Sequence, residues 1–412
     1  MPGPVHVVYV APYFSANILQ CLDGLLALPN VKVGVISHEA ADRMPMPQRG
    51  RLAGHYQVRD CLDEGQLTAA IQAFKKDDQW GRVDRLIGFL EQMQLPLAVA
   101  RDRTGVPGMG EAVARNFREK NQMKEVLRAA GLPVAGQRLI HGPDEARQVV
   151  AEFGYPLVIK PPAGLGSRGT MRVTDDEELA GALAALMVSP SNPAQAEQFI
   201  SGEEHTFETV TIRGEPVWHS SSYYLPGPLA VLEHPWMQYC VLLPREQLQP
   251  HAEAFRPINV KALRALGMQT GLSHMEWFLR ADGSAIVSEV GARPPGVHLM
   301  PMMGMAHEVD MWAKWAELLV HERFAVPERR WSCGAAFFRG QGPGRAVRSV
   351  EGFAEAAEAL GDRLVEHRLP RPGTPRASGY EGEGYAIVRA RTTAEVVDAL
   401  RTLVTRTRVT LA

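Results

Sequence analysis

The chain has 412 residues, enough for about two or three domains with ample core. At 45% hydrophobic and 22% charged residues it has an ordinary globular composition, and a formal net charge of −2 with a pI near 6.7 gives no electrostatic case for nucleic acid or an anionic membrane. No apolar run approaches membrane-spanning length, the N-terminus lacks signal-peptide character, and four scattered cysteines (Cys21, Cys61, Cys240, Cys333) show no CxxC or zinc spacing, so a cytoplasmic protein with reduced thiols is expected.

In chain order, VHVVYVAP (Val5 to Pro12) reads as a buried strand, SANILQCLDGLLAL as an amphipathic helix and KVGVIS (Lys32 to Ser37) as a second strand. A helix around Glu64 to Phe74 and a strand near Val83 to Glu91 continue the alternation, which argues for a parallel α/β domain over residues 1–115. GVPGMG, Gly105 to Gly110, marks its end. A helix through REKNQMKEVLRAAGLP, stopped by Gly131 and Pro133, then opens a strand-rich unit with hairpins over residues 116–328. Residues 329–412 mix strands with Gly/Pro turns and close on a helix capped by Thr392 and Glu395.

Within the middle unit, VIKPPAGLGSRG (Val158 to Gly169) ends in G-x-G-x-x-G, a dinucleotide-binding pattern. That meaning requires a strand before the glycines and a helix after them, so that pyrophosphate sits at the helix N-terminus. Here Thr170 to Val173 reads as a second strand, and the helix starts only at a T-x-x-E box, Thr174 to Glu177. Nor is it a P-loop, because Lys160 precedes the glycines instead of following them. The loop joins strand to strand. Alone, Lys160 is also compatible with a plain surface strand end.

A second acidic feature is AEQFISGEEHTFE, Ala196 to Glu208. Glu197 is placed to accept from an exocyclic amine, residues 198–200 to read a planar base edge, and Glu204 to accept from ribose hydroxyls. A surface turn is the competing reading. In SSYYLPGPLAVLEHPWMQY, Tyr223, Tyr224 and Trp236 are candidates for a pocket lining or for core.

The most informative stretch is GLSHMEWFLRADGSAIVSEVGARPPG, Gly271 to Gly296, with two β-type runs around Asp282-Gly283. A two-residue turn there puts Glu276 opposite Glu289 and His274 opposite Gly291 on one face, which Arg293 continues if the strand persists. Opposed carboxylates have Cβ atoms about 5 Å apart, and at an effective dielectric of about 20 they repel by on the order of 3 kcal/mol. Either the pair points into water or something positive sits between them. A hard divalent cation shared with substrate phosphates meets that need. His274 alone also fits a packed histidine, and the methionines of HLMPMMGMAH (His298 to His307) fit packing better than a metal motif.

Taken in order, these pieces resemble the ATP-grasp superfamily of carboxylate–amine ligases, over nearly the whole chain. The Lys160 strand with its glycine loop and the E-x12-E-x3-R set of Glu276, Glu289 and Arg293 together carry the likeness. It implies an α/β fold of ATP-grasp type: an N-terminal parallel α/β domain, a two-lobed ATP-grasp domain and a small C-terminal α+β subdomain. It implies nucleotide contacts from Lys120, Lys160, Ser167, Gly169, Glu197, Phe199, Ile200 and Glu204, with Gly164 to Gly169 as a flexible lid. Glu276 and Glu289 become metal ligands, Lys160 and Arg293 catalytic groups, and His274, Arg293 and Gly296 substrate contacts. The implied cofactors are ATP and one or two Mg²⁺, with Mn²⁺ as a substitute. The implied partners are a small-molecule carboxylate and an amine, with no nucleic acid or membrane, and a homodimer is left open. The C-terminal segment and SHMEWF are most similar to L-amino-acid ligases. One position departs from the family: Gly291 stands where an Asn metal ligand is usual and offers no side-chain oxygen.

The implied reaction activates a carboxylate as an acyl phosphate and couples it to an amine, releasing ADP and phosphate. No side-chain nucleophile is needed, which agrees with the lack of a Ser/His/Asp or Cys/His signature. One alternative is a bicarbonate-activating carboxylase, against which the short glycine loop counts. Another is a nucleotide-binding regulator without catalysis, suggested by Gly291 and opposed by the retained glutamates and Arg293.

Overall fold

The computed structural model describes residues 3–162, 169–246 and 250–412. Its first sheet has four parallel strands in the order Gly54–Gln57, Val31–Ser37, Val5–Val10, Arg85–Ile87. The run Val5–Val10, apolar except for the buried His6, is a consequence of burial on both faces. Val7 and Tyr9 pack with Leu22 and Leu25 of the helix Ala16–Leu26, while Val8 and Val10 pack with Leu67 and Ile71 of the helix Glu64–Lys76. The helix Gln94–Thr104 ends at Gly105, whose φ of 66° is the left-handed cap that glycine adopts without steric cost.

The helix expected through REKNQMKEVLRAAGLP is Lys120–Ala129, and a separate helix, Glu111–Arg118, precedes it. Glu111–Arg118 and Lys120–Ala129 meet at Glu119, whose extended backbone (φ −96°, ψ 105°) caps both. Arg115 holds Glu111 and Glu119 from the first helix and pins the corner. The break puts Lys120 at the head of the second helix, one turn before Lys124.

A small antiparallel sheet follows, in the order Gln137–Ile140, Ala194–Gln198, Leu157–Lys160, Met171–Val173. Leu157–Lys160 and Met171–Val173 pair antiparallel, so the glycine-rich stretch links strand to strand as expected. Of that stretch only Gly169 lies among the described residues; the lid reading and Ser167 fall outside them. The helix Asp176–Ala185 is capped one residue later than the T-x-x-E reading placed it. Asp175, as strong an N-cap as Thr, accepts from the Glu178 N–H, and Glu178 bonds back to the Thr174 N–H.

The largest sheet has eight antiparallel strands in the order Ala285–Gly291, Gly271–Leu279, Glu203–Ile212, Glu215–Leu225, Tyr239–Leu243, Ser332–Phe338, Gly384–Ala390, Leu364–Arg368. Its last three strands come from the C-terminal segment, so the boundary read at 328/329 falls within one continuous sheet. The chain does not close on the helix Thr393–Arg406, although its Thr392–Glu395 capping box is present. A last strand, Arg408–Leu411, pairs with Val347–Glu351 and buries Val409 and Leu411. The four cysteines are free and buried, and no helix of the described residues is long and apolar enough to cross a membrane. Met300, Met302 and Met303 are core residues of the helix Leu299–His307.

The carboxylate hairpin reaches its expected register by an unexpected route. Glu276 does face Glu289, and His274 faces Gly291. The turn, however, has three residues, Ala281-Asp282-Gly283, closed by the Arg280 N–H on the Ser284 carbonyl, with Gly283 at a φ of 80°. A bulge at Ser288 then shifts the pairing back, between Trp277 opposite Val287 and Glu276 opposite Glu289. The bulge breaks strict alternation: Val287 and Val290 both enter the core, while Ser288 and Glu289 both face the cleft described below. On the core face Trp277 is 1% exposed and stacks on Phe255, with ring centroids 4.1 Å apart and planes at 7°. Trp277→Ala should therefore lower stability by about 3–5 kcal/mol in urea unfolding; a loss below about 1 kcal/mol would contradict this packing.

Candidate active site

Side chains from both antiparallel sheets line one cleft of ≈ 1390 Å³, part of it open to solvent. The small sheet supplies Lys160, Glu197 and the segment through Phe199 and Ile200, and the helix Lys120–Ala129 adds Lys120 and Lys124. The large sheet supplies Glu204, Tyr224, His274, Glu276 and Glu289, and beyond its edge strand come Arg293 and Gly296. Gly169 turns the chain at a φ of 70°, and Thr170 beside it lines the cleft. The sequence-derived site residues among those described thus converge, with Gly169 at the margin.

Glu197 sits at the centre of a cation cluster. Its carboxylate accepts from Lys124 Nζ at 2.7 Å, Lys160 Nζ at 2.8 Å and the Gln195 amide at 2.6 Å. Burial opposes its charge, but Lys124 and Lys160 outweigh it and bring the pKa down to about 2. Burial likewise lowers the Lys124 pKa to about 8, against the pull of Glu197. The carboxylate read as a partner for an exocyclic amine therefore has both oxygens engaged by lysines.

The opposed glutamates each have a cation. Lys120 bonds Glu289, whose pKa falls to about 2 because Lys120, then Lys160, outweigh burial. His274 Nε2 lies 3.6 Å from Glu276, and Tyr224 donates to the same carboxylate at 3.2 Å. Behind His274, the fully buried Glu208 meets Nδ1 at 2.8 Å. Burial would lower the His274 pKa, yet its bonds to Glu208 and Glu276 raise it to about 9. The strand ends at Gly291, so Arg293 does not extend it, yet its side chain still lines the cleft, bonded to Glu91 and to the Pro294 carbonyl. A Cβ on Gly291 would lie 3.5 Å from Arg293 Cγ and 3.6 Å from Glu91 Oε2. These are ordinary van der Waals distances, so the Arg293–Glu91 ion pair borders the position from which Gly291 offers no side-chain oxygen.

The ATP-grasp domain family matches residues 125–298, a span that holds the small sheet, the hairpin and Arg293. Residues 125–298 form an ATP-grasp domain. Lys120 and Lys124 precede the matched span and Tyr380 follows it, so the cleft of the ATP-grasp domain is completed from outside it. Among similar proteins, y4rH of Sinorhizobium fredii (strain NBRC 101917 / NGR234) is 28% identical over 302 residues, 71% of this chain and 61% of that one. A D-alanine–D-alanine ligase of Sodalis glossinidius (strain morsitans) is 29% identical over 254 residues, 57% of this chain and 64% of the ligase. The chain thus spans less than two thirds of either relative. The crystal structure of an L-amino acid ligase from Bacillus licheniformis shares the fold over 100% of both chains, with a TM-score of 0.76 at 19% identity.

In the ATP-grasp cleft a further carboxyl, Glu204, stands near the opposed pair. Burial, then Glu276, push the Glu204 carboxyl well above the ordinary carboxylate range, so anions are crowded at this end. That crowding fits a divalent cation. Among the described residues no three His, Cys, Asp or Glu side chains group as metal ligands. Glu276 and Glu289 would then hold Mg²⁺ as two carboxylates, the remaining oxygens coming from phosphate and water, as this ion prefers.

Lys124, Glu91, Glu208 and Tyr380 were missed from sequence. Lys124 had a signal, standing four residues after Lys120 on the same helix face. Glu91 and Tyr380 arrive from distant segments without a local one. Of the aromatic candidates, Tyr224 lines the cleft, Tyr223 packs against His205 and His251, and Trp236 is 65% exposed.

Because the folded-state pKa of Glu197 lies below the ordinary value of 4.5, at about 2, its stabilisation is present above about pH 4.5 and lost as pH falls towards 2. Glu197→Gln should therefore destabilise most near neutrality, where it strands two ammonium groups, and progressively less in acid. Denaturant unfolding of both proteins between about pH 6 and about pH 2.5 measures this; a penalty independent of pH would exclude the ion cluster as its cause.

Proposed function

We propose that the protein is an ATP-dependent ligase that activates the carboxylate of an amino acid as an acyl phosphate and joins it to an amine, releasing ADP and phosphate. The observation that carries this reading is the convergence, in one cleft, of Lys120 and Lys160, the opposed Glu276 and Glu289, and Arg293. The ATP-grasp domain, the similarity to a D-alanine–D-alanine ligase and the fold shared with an L-amino acid ligase support it.

A carboxylate is a poor electrophile, because attack adds charge to an anion. Phosphorylation gives it a leaving group. In this reading Lys120 and Lys160 bind the phosphates, the segment through Phe199 and Ile200 lies along the base, and Glu204 faces the ribose hydroxyls. Mg²⁺ held by Glu276 and Glu289 neutralises phosphate oxygens. Arg293, always charged, holds the acyl phosphate and the oxyanion formed when the amine attacks. Glu91, bonded to that guanidinium, fixes its direction.

Phosphate release from Mg-ATP, screened against pairs of amino acids with bicarbonate as a separate arm, tests this. Release should require an amino acid and an amine; release on bicarbonate alone would replace the reading with the carboxylase one. Mg-ATP at a hundredfold excess over Kd should add roughly 2.7 kcal/mol of stability, and NAD should add none. A shift with NAD and none with Mg-ATP overturns the nucleotide assignment.

Glu289→Gln should lower phosphate release by about a hundredfold or more. Like-charge repulsion alone predicts a variant no less stable than the parent. The bond from Lys120 reverses that expectation, since the substitution leaves a buried ammonium without its anion. Turnover and melting temperature should fall together, and a destabilised variant with full activity would end the metal assignment.

A further inference from the structure

Lys124 has no part in the reaction as derived, yet it is among the most enclosed charges in the molecule. It is 1% exposed, one turn after Lys120, with its ammonium 2.7 Å from Glu197 Oε1. Lys160 holds the other oxygen at 2.8 Å. Gln195, itself fixed by Gln137, donates to Oε1 and keeps the carboxylate in place. One buried anion is thus shared by two cations. A fold that needed only a neutral pair would have one in Glu197 and Lys160, and a second buried ammonium is costly unless something uses it.

Nucleotide binding supplies the use. To reach phosphate, Lys160 Nζ has to leave Glu197. Without another cation, that departure strands a buried carboxylate, a cost of several kcal/mol. With Lys124 in place, it leaves a neutral, hydrogen-bonded pair, and the surplus positive charge moves to the phosphate. We propose that Lys124 is a positioning residue, the standing counter-ion of Glu197 that frees Lys160 for the phosphates of ATP. This rests on the nucleotide reading of the cleft given above.

The test compares dissociation constants for Mg-ATP and for adenosine, measured calorimetrically on the full chain. Adenosine lacks the phosphates, so the ratio of the two constants removes effects on the base site and on the fold. The parent should prefer ATP strongly. Lys124→Met should reduce that preference about tenfold or more, because Lys160 is then locked to Glu197. Adding Glu197→Gln to Lys124→Met should restore it, because no anion remains to hold Lys160. A preference unchanged in Lys124→Met, or not restored in the double variant, overturns the proposal. Should Lys124→Met alone not fold, Glu197→Gln and the double variant decide: equal preferences support the proposal, and a further loss in the double variant shows a direct phosphate contact by Lys124 and overturns it. A parent with no preference for ATP fails the nucleotide reading itself, and this inference with it.

Discussion

Glu276 and Glu289 face each other across a hairpin, and each is met by a cation from a different direction. Lys120 reaches Glu289 because the helix before it breaks at Glu119 and a new one starts at the lysine. His274 can stay charged beside Glu276 because Glu208 stands behind it in the adjacent strand, with no contact to water. Around this pair the rest of the cleft is arranged as alternating charge: Glu197 between Lys124 and Lys160, Arg293 against Glu91, Glu204 crowded towards its neutral form. The lysines that would meet phosphate are therefore already engaged by carboxylates. A nucleotide must exchange these contacts, not merely fill a space, and the hold of Glu289 and Glu197 on their lysines sets the terms of that exchange.

The fold was largely legible where local rules and burial agree. The alternating apolar runs of the first domain are strands and helices because each strand is covered on both faces. The strand-to-strand glycine loop followed from what came after it, without any reference to a ligand. Boundaries were less legible, because neighbouring side chains compete for the same cap: Asp175 displaced Thr174, and Glu119, one residue inside the expected helix, became its N-cap.

The hairpin shows how a correct pairing can come from a wrong turn. The sequence reading used two turn residues and no bulge; the molecule uses three and one, and the two differences cancel at Glu276 and Glu289. What escapes that arithmetic is the side-chain direction near the bulge, where Ser288 joins Glu289 on the cleft face. The residues read from a motif among those described meet at the cleft, whereas those that reach it only by tertiary approach were not read from sequence. Glu91 lies in the N-terminal domain and Tyr380 in the C-terminal segment, and each meets the cleft through folding alone.

The C-terminal segment is no appendage to this sheet. Every residue of Tyr239–Leu243 is buried, and Ser332–Phe338 pairs along its outer side. Left open, that side would be a long apolar edge, a template for pairing with a second chain. The same segment carries Tyr380 to the cleft wall and packs it edge-on against Tyr239. One stretch of polypeptide thus both walls the cleft and covers the sheet edge, so a change in either contact is constrained by the other.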